Sequence, residues 1–330
     1  MASDQKPLVV IGGPIHPAGV ELLETEAAVA VADDLTEDGI IRLGQEAQAL
    51  LLRIFIPCTE RLMASCPNLK CVGRYGVGLD NVDLAAATRL GVPVVHAPGS
   101  NSDSAAEHTI MLMLAALKKL IPIDRAMRAG EWRGERYRGI SELKGATLGI
   151  IGVGNIGRRV ARISRSFGMR TLGFDPYVPA DELRQRDVEP VQNLAQLLAR
   201  ADIITCHTPL TDETRRMINA AAIGQMKDGA VLINTSRGQV VDETALYAAL
   251  TNGKLRAAGL DVWEEEPVAA ANPLLKLENV VTTPHVAGMS ETANRTMALG
   301  VASEILRVLR GERPRALGNP ELWPRLSHLR

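Results

Sequence analysis

The chain has 330 residues, enough for two domains that each bury a core, and with 46% hydrophobic and 23% charged residues it has the composition of a soluble globular protein. Lysine plus arginine (37) balance aspartate plus glutamate (38), so the net charge of -1 gives no electrostatic reason to expect a nucleic acid or an anionic membrane as partner. Aromatic residues at 3% leave little material for a base-stacking surface, and a small molecule becomes the expected ligand class.

In chain order, the opening MASDQKPLVVIGG shows no basic leader before a long apolar stretch, and no later window is long enough to cross a bilayer. Short β-branched apolar runs then alternate with longer segments of helical period, the pattern of parallel sheets covered by helices on both faces. In the first part strands are expected at PLVVIG (7–12), AVAVA (28–32), ALLLRIF (49–55), KCVGRY (70–75) and GVPVVHA (91–97). Cys58, Cys66, Cys71 and the later Cys206 form no C-x-x-C pair and sit in or near apolar runs, which fits small buried thiols in a reducing, cytoplasmic setting.

At APGSNSDSAAEHTIMLMLAALKKL a Pro-Gly turn and several serines lead into a long helix with Ile110, Leu114 and Leu117 on one face. A domain boundary is expected near residue 100, and Met111 and Met113 are expected in helix packing. Six strands come next, ATLGII (146–151), RTLGF (170–174), ADIITC (201–206), AVLIN (230–234), AAGLDV (257–262) and NVVTT (279–283), matching a full doubly wound dinucleotide-binding sheet. The last helix, starting near Ser290 and carrying Met297, Ile305 and Leu309, is expected to cross back to the first unit, with RPRALGNPELWPRL as an irregular arm. The expected fold is therefore α/β with two doubly wound parallel-sheet domains, 1–100 plus 291–330 for the substrate and 101–290 for the cofactor, and the ligand cleft between them.

GIIGVGNIGRRVARISRSFG holds Gly152, Gly154 and Gly157 in G-x-G-x-x-G order, directly after a strand and opening a helix packed through Ile156, Val160, Ile163 and Phe167. Gly152 permits the tight turn, Gly154 lets the backbone approach a pyrophosphate, and Gly157 permits close helix-strand packing. The second strand of this unit ends in Asp175, where an acid accepts hydrogen bonds from an adenosine ribose and repels a 2'-phosphate. Pro176 and Tyr177 supply no cation for such a phosphate, so NAD is favoured over NADP.

Parallel strands all end on one edge, and ligands bind outside it. The six strands of the second unit run out, in order, into the glycines, Asp175, HTPL with His207 and Thr208, TSRG with Thr235, Ser236 and Arg237, Asp261 leading into WEEEP, and His285. A histidine beside an apolar run reads by itself as structural. Its place as the last of these polar groups makes it the proton donor that carbonyl reduction by NADH requires, with Arg237 as the fork that anchors a carboxylate. A carboxylate beside the histidine is expected to hold its ring, and spacing leaves Glu264, Glu265 and Glu266 all open for that part.

The sequence resembles the D-2-hydroxyacid dehydrogenase family, closest in pattern to its D-3-phosphoglycerate dehydrogenase branch. The resemblance runs through RYGVGLDNVD (74–83), NSDSAAEHT (101–109), GIIGVGNIGR, HTPLTDET, NTSRGQVVDE, LDVWEEEP and TPHVAG, almost the whole chain. It implies that Arg237 binds the substrate carboxylate and carbonyl, that Glu266 partners the histidine, and that His285 is the general acid or base. It further implies cofactor contacts from Asn155, Ile156, Asp175, His207, Thr208, Pro209, Thr235, Ser236, Asp261 and Gly288. The loop Gly76, Val77 and Gly78 matches the family's backbone cradle for the substrate carboxylate, with Asn101 beside it among the implied substrate contacts. Two departures stand out: Ala287 where the family often has a glycine, and Val77 in place of a threonine common in the phosphoglycerate branch.

Arg53 and Arg74 close strands of the first domain, as arginines do in that branch, and suit a phosphate or a second carboxylate. The implied substrate is 3-phosphoglycerate or phosphohydroxypyruvate, with glyoxylate, hydroxypyruvate or another 2-oxo acid as the alternative and no metal. The chain ends soon after the second domain, so the serine-sensing module of longer relatives and its feedback are not expected. MRAGEWRGERYRG (127–139) resembles the family's dimer arm, which implies a homodimer. From another class, the same architecture resembles C-terminal-binding corepressors, dinucleotide-sensing scaffolds that the fold alone does not exclude.

Overall fold

The structure is a computed structural model and describes residues 6–326 apart from 133 and 135–137. It divides into two compact units, Met1–Asn101 with Ser290–Arg330, and Ser102–Met289.

Among the described residues the first unit is built on five parallel strands, β1 (Leu8–Gly12), β2 (Ala28–Val31), β3 (Ala49–Leu52), β4 (Cys71–Arg74) and β5 (Val94–Val95), in the order β2-β1-β3-β4-β5. That order is the flavodoxin-like one, with its reversal between β1 and β3. β3 is apolar and buried at every position because helices cover both sheet faces, which is why it reads as a continuous run and not as an alternation. Two strands are shorter than the sequence implies. β3 stops at Leu52, where residues 53–55 turn and leave the Phe55 ring half exposed. β5 keeps only two residues, because Gly91 takes a left-handed φ of 73° to cap the preceding helix and Pro93 lacks the N–H a ladder needs.

The helix Glu291–Leu309 does return to this unit, capped by Ser290, whose side chain accepts from the Ala293 amide. It packs so closely that a Cβ on Gly73 of β4 would lie 2.6 Å from Ile305 Cδ1, and one on Gly19 would lie 2.7 Å from Ala298 Cβ. Val301 and Ile305 are fully buried there, each worth about 1.5–3 kcal/mol. The tail is less irregular than expected: buried Asn319 accepts from the Val94 amide and donates to Val92 O, and a 3₁₀ helix follows at Pro320–Arg325.

Among the described residues the second unit has seven parallel strands where six were expected: β6 (Thr147–Ile151), β7 (Arg170–Phe174), β8 (Glu189–Pro190), β9 (Ile203–Cys206), β10 (Ala230–Asn234), β11 (Leu255–Leu260) and β12 (Val280–Thr282). Their order is β12-β11-β10-β9-β6-β7-β8. The additional β8 is a two-residue edge strand, and its Glu-Pro sequence protects a sheet edge instead of signalling a strand. The direction of winding reverses between β6 and β9, the place where a doubly wound sheet opens a crevice.

The long helix expected after residue 100 is two, Ser102–Leu117 and Leu120–Arg128, broken where Lys119 takes a left-handed φ of 51°. Met113 is buried in packing as expected, whereas Met111 faces outward. Gly259 in β11 lets the first of these helices approach, since a Cβ there would meet Leu112 Cβ at 2.9 Å. Part of the 127–139 segment lies outside the described residues; Trp132 within it is exposed.

All four cysteines are free and buried, and burial pushes the Cys58, Cys71 and Cys206 thiols up to about 12. Among the described residues no helix is long and apolar enough to cross a membrane, and no group of His, Cys, Asp or Glu is arranged to hold a metal ion.

Candidate active site

Strand order sorts the polar rim of the second unit into two halves. Adjacent strands β7, β6 and β9 carry Asp175, the glycine loop and His207, while adjacent strands β10, β11 and β12 carry Arg237, Asp261 with Glu266, and His285.

In the first half, Gly152 has φ 85°, and a Cβ on it would lie 2.8 Å from His207 O, so β6 and β9 come together only because this residue is glycine. A Cβ on Gly157 would sit 2.1 Å from Gly152 O. Gly154 is different: a Cβ there meets nothing within 4 Å, leaving open space at the N-terminus of the helix Gly157–Ser166. Asn155 and Ile156 lead into that helix, with Asn155 Oδ1 accepting from Arg158. Asp175 is fixed by two backbone amides, Val153 N at 2.9 Å and Tyr177 N at 3.0 Å, which present its carboxylate beside the loop.

A cavity of about 380 Å³ lies against these groups, lined on its apolar side by Ile151, Phe174, Val178, Pro209 and Met217 and reached by Gly154, Asp175, His207 and Thr208. Thr208 Oγ1 and His207 Nδ1 are both buried without a hydrogen-bond partner among the described residues. Such orphaned polar atoms, next to an open glycine and a fixed carboxylate, fit a nucleotide that supplies the missing partners. His207 keeps some residue-level exposure, but its ring is sunk, with Nε2 3.0 Å from buried Thr205 Oγ1, and burial pushes its pKa down to about 3. The ring is neutral at ordinary pH.

In the second half, the turn after β10 is organised by Asn234. Its Oδ1 accepts from the amide and hydroxyl of Ser236, at 3.1 and 2.8 Å, and its Nδ2 donates to Arg237 O at 2.9 Å. Thr235 is buried, its Oγ1 2.9 Å from Thr109 Oγ1, and Arg237 Nη1 donates to Ser236 O at 2.7 Å. Gly238 has no room for any side chain: a Cβ would fall 1.8 Å from the carbonyl carbon of Trp263. This contact brings the loop carrying Glu266 onto the turn carrying Arg237.

Glu266 resolves the choice among the three acids geometrically. Its Oε2 is 2.7 Å from His285 Nδ1 and its Oε1 accepts from Trp263 N at 3.1 Å. Glu264 instead pairs with Arg216 at 3.3 Å, and its amide donates to Glu243. Burial works to raise the Glu266 carboxyl, but the hydrogen bond and charge of His285, the Trp263 amide and the charge of Arg237 outweigh it and hold the acid below the usual carboxylate range.

His285 stands in the left-handed region with φ 54°, a conformation that costs a residue with a side chain about 1–3 kcal/mol and persists only where its surroundings impose it. Asp261 imposes it. The His285 amide donates to Asp261 O at 2.7 Å, and the fully buried Asp261 side chain accepts from Val286 N, Ala287 N and Thr283 Oγ1 at 2.9, 2.8 and 2.5 Å. Asp261 thus holds the protein's own turn, in addition to the cofactor contact expected of it. Ala287 is buried in the same turn and Gly288 is partly exposed.

The substrate residues expected in the first unit sit as follows. Gly76 has φ 139°, Val77 O is held by His96 Nδ1 at 2.8 Å, and the amides of Val77 and Gly78 meet no acceptor among the described residues. Asn101 Oδ1 is buried and accepts from no donor among the described residues. Arg53 donates to Pro14 O at 2.8 Å and stacks on Phe55 and Tyr75 at 5.4 and 5.6 Å. Arg74 is buried, donating to Tyr75 O at 2.9 Å and approaching Asn81 Oδ1 at 3.4 Å, so its guanidinium has a structural task within its own unit.

Asn234, Gly238, Thr283 and Trp263 were not among the expected site residues. Asn234 and Gly238 flank the TSR turn, and an asparagine ending an apolar strand before a serine is a signal for an Asx turn that would have found the first of them.

Comparison with known proteins agrees with this arrangement. The model of a family described as "D-isomer specific 2-hydroxyacid dehydrogenase, NAD binding domain" matches residues 110–287. The D-3-phosphoglycerate dehydrogenase of Methanocaldococcus jannaschii is 42% identical over 304 residues, covering 92% of this chain but 58% of that protein. The chain thus spans little more than half the length of such relatives. The glyoxylate reductase of Korarchaeum cryptofilum is 37% identical, covering 96% of this chain and 97% of that one. Among solved structures, a glyoxylate reductase from Paecilomyes thermophila superposes with a TM-score of 0.87 at 29% identity, over 96% of this chain and 99% of the other.

Proposed function

The chain belongs to the D-isomer-specific 2-hydroxyacid dehydrogenase family, and on that premise we propose that it is an NAD-dependent oxidoreductase moving a hydride between NAD(H) and C2 of a small 2-hydroxy or 2-oxo acid. The observation that carries the reading is the His285–Glu266 pair at 2.7 Å, with the charge of Arg237 acting on the same carboxylate. Bound NADH supplies the hydride. Glu266 occupies Nδ1 of His285, so Nε2 is the nitrogen left to give a proton to the alkoxide as C2 is reduced, and to take it from the hydroxyl in the reverse direction. The Glu266 carboxylate stabilises the imidazolium in both directions, and Arg237 holds the substrate carboxylate and polarises its carbonyl. Gly154, Asn155, Ile156, Asp175, His207, Thr208, Pro209, Thr235, Ser236 and Gly288 are assigned to the cofactor. Gly76, Val77, Gly78, Asn101 and Arg53 are assigned to the substrate.

For the substrate we prefer phosphohydroxypyruvate and 3-phosphoglycerate, supported by the 42% identity to a protein of that activity and by Arg53, whose guanidinium is held in place by two rings and a carbonyl. Glyoxylate or hydroxypyruvate is the second reading, favoured by the full-length match to a glyoxylate reductase and by the commitment of Arg74 to internal partners. Comparing kcat/KM for phosphohydroxypyruvate, hydroxypyruvate, glyoxylate and larger 2-oxo acids with NADH decides between them. Tight NADH binding with no turnover of any of them would refute the enzyme and favour the scaffold. A cytoplasmic homodimer completes the proposal; the outward Leu120, Ile121, Met127 and Trp132 support it, and light scattering at the mass of one chain would refute it.

A further inference from the structure

One histidine near the candidate site has no part in the reaction as proposed. His108 stands on the helix Ser102–Leu117, its ring largely buried, with Nε2 2.9 Å from Thr283 Oγ1 and 3.5 Å from Asp261 Oδ1. Counting hydrogens fixes the direction of this contact. The only proton of the Thr283 hydroxyl goes to Asp261 Oδ1 at 2.5 Å, so Thr283 Oγ1 accepts from His108, which must carry its proton on Nε2. From Asp261 the chain continues to the amides of Val286 and Ala287, the two residues after His285, while the His285 amide returns to Asp261 O.

The helix grips the rim at two further points. Ser104 Oγ donates to Ala287 O at 2.8 Å, closing the same turn from its other side. Thr109 Oγ1 donates to Ala105 O at 2.7 Å and is 2.9 Å from Thr235 Oγ1, so the Thr235 hydroxyl donates to it and is oriented by it. Ser104 and His108 are spaced four apart and share a helix face. The turn they hold is the one in which His285 adopts φ 54°. A left-handed residue lies only a local rearrangement away from an ordinary conformation, and such a rearrangement would carry its ring off Glu266.

We infer that His108 is a positioning residue for His285. By donating from Nε2 to Thr283 it orients the hydroxyl toward Asp261, and Asp261 clamps the left-handed turn that keeps Nδ1 of His285 on Glu266. The inference rests on the proposed dehydrogenase reading for its effect on rate, but the clamp itself is independent of any substrate.

The test uses the full chain with three substitutions. His108→Phe keeps the bulk and removes the donor, His108→Gln places an amide N–H near the position of Nε2, and Thr283→Val removes the intermediate hydroxyl. With the best 2-oxo acid, His108→Phe is expected to lower kcat by on the order of 10- to 100-fold with KM and NADH affinity nearly unchanged. His108→Gln should recover most of that loss, and combining His108→Phe with Thr283→Val should cost no more than either alone. A second readout needs no turnover: the low-field NMR resonance of the Nδ1 proton shared by His285 and Glu266, assigned by its loss in Glu266→Gln, should persist in His108→Gln and vanish or broaden in His108→Phe. An unchanged kcat and resonance in His108→Phe would overturn the inference, as would His108→Gln behaving like His108→Phe. A wild-type protein that turns over no 2-oxo acid overturns the dehydrogenase reading alone, and the resonance then decides the role of His108.

Discussion

Replacing Gly238 by alanine adds one methyl group where the loop bearing Glu266 crosses the turn bearing Arg237. The new carbon would start 1.8 Å from the Trp263 carbonyl carbon, 1.9 Å from its oxygen and 2.5 Å from Glu264 N, all backbone atoms that cannot swing aside like a flexible side chain. Ordinary carbon contacts begin near 3.5 Å, so the 263–264 backbone must retreat by roughly 1.5 Å. Glu266 is only three residues beyond Trp263 and takes the Trp263 amide on Oε1, so the retreat is transmitted to its bond with His285. A misplacement of about 1 Å costs on the order of 100-fold, and kcat/KM should fall by about that factor, or about 2.7 kcal/mol. The cavity beside Asp175 lies on the other half of the rim, so AMP affinity measured by calorimetry should stay within about threefold of wild type, although the nicotinamide end of the cofactor reaches the displaced turn. Following NADH oxidation by absorbance with purified, folded Gly238→Ala checks the loss of rate. Wild-type kcat/KM in a folded variant would refute the claim that this contact sets the position of Glu266.

Two glycines of one motif should behave oppositely. Gly154→Ala meets no protein atom and is expected to fold normally while weakening NADH binding by about tenfold, whereas Gly157→Ala, whose Cβ would overlap Gly152 O, is expected to lose about 1–3 kcal/mol of stability by denaturant titration. Arg237→Ala should raise KM for the oxo acid strongly and leave the NADH dissociation constant nearly intact; unchanged substrate kinetics would remove Arg237 from the substrate site. His207 gives a pH prediction. The unfolded ring takes up a proton near 6.5 and the folded one only at about 3, so protonation favours the unfolded chain across that window, and stability falls as pH drops through it. In His207→Asn that contribution is gone, and Tm between pH 6 and 4 should decline less steeply than in wild type; parallel curves would count against a desolvated ring.

The parts of the fold that carry long apolar runs were legible, because burial on both faces of a parallel sheet writes itself as a string such as ALLL or AVLIN. β8 was not, since its two residues are held by pairing with Leu172 and Gly173 and not by any apolar pattern of their own. Reading the residues just beyond each strand placed Asp175, Arg237 and His285 on one rim, because parallel strands put all their C-terminal ends on one edge. It did not sort them into a β7-β6-β9 half and a β10-β11-β12 half, since strand order in space is not strand order in the chain. Spacing left three acids open; the choice of Glu266 depends on the Trp263 amide and the tight crossing at Gly238, both invisible before the loop is folded. The φ of His285 and the commitment of Asp261 to its turn are likewise tertiary facts.

The sheet also measures its ligand. Asp175 lies just past β7 and Glu266 past β11, with β6, β9 and β10 between them, so four inter-strand steps of about 4.8 Å put the two ends of the rim about 19 Å apart. A molecule with two nucleoside ends joined by a flexible bridge covers that length while keeping its anionic middle at the open Gly154. A mononucleotide fills one end of the ruler: AMP would exclude the dinucleotide while leaving the arginine and histidine strands bare, and nicotinamide mononucleotide would lack the carboxylate grip at the other end. Cofactor choice in this chain is thus a selection by length as well as by charge, set by the single reversal between β6 and β9.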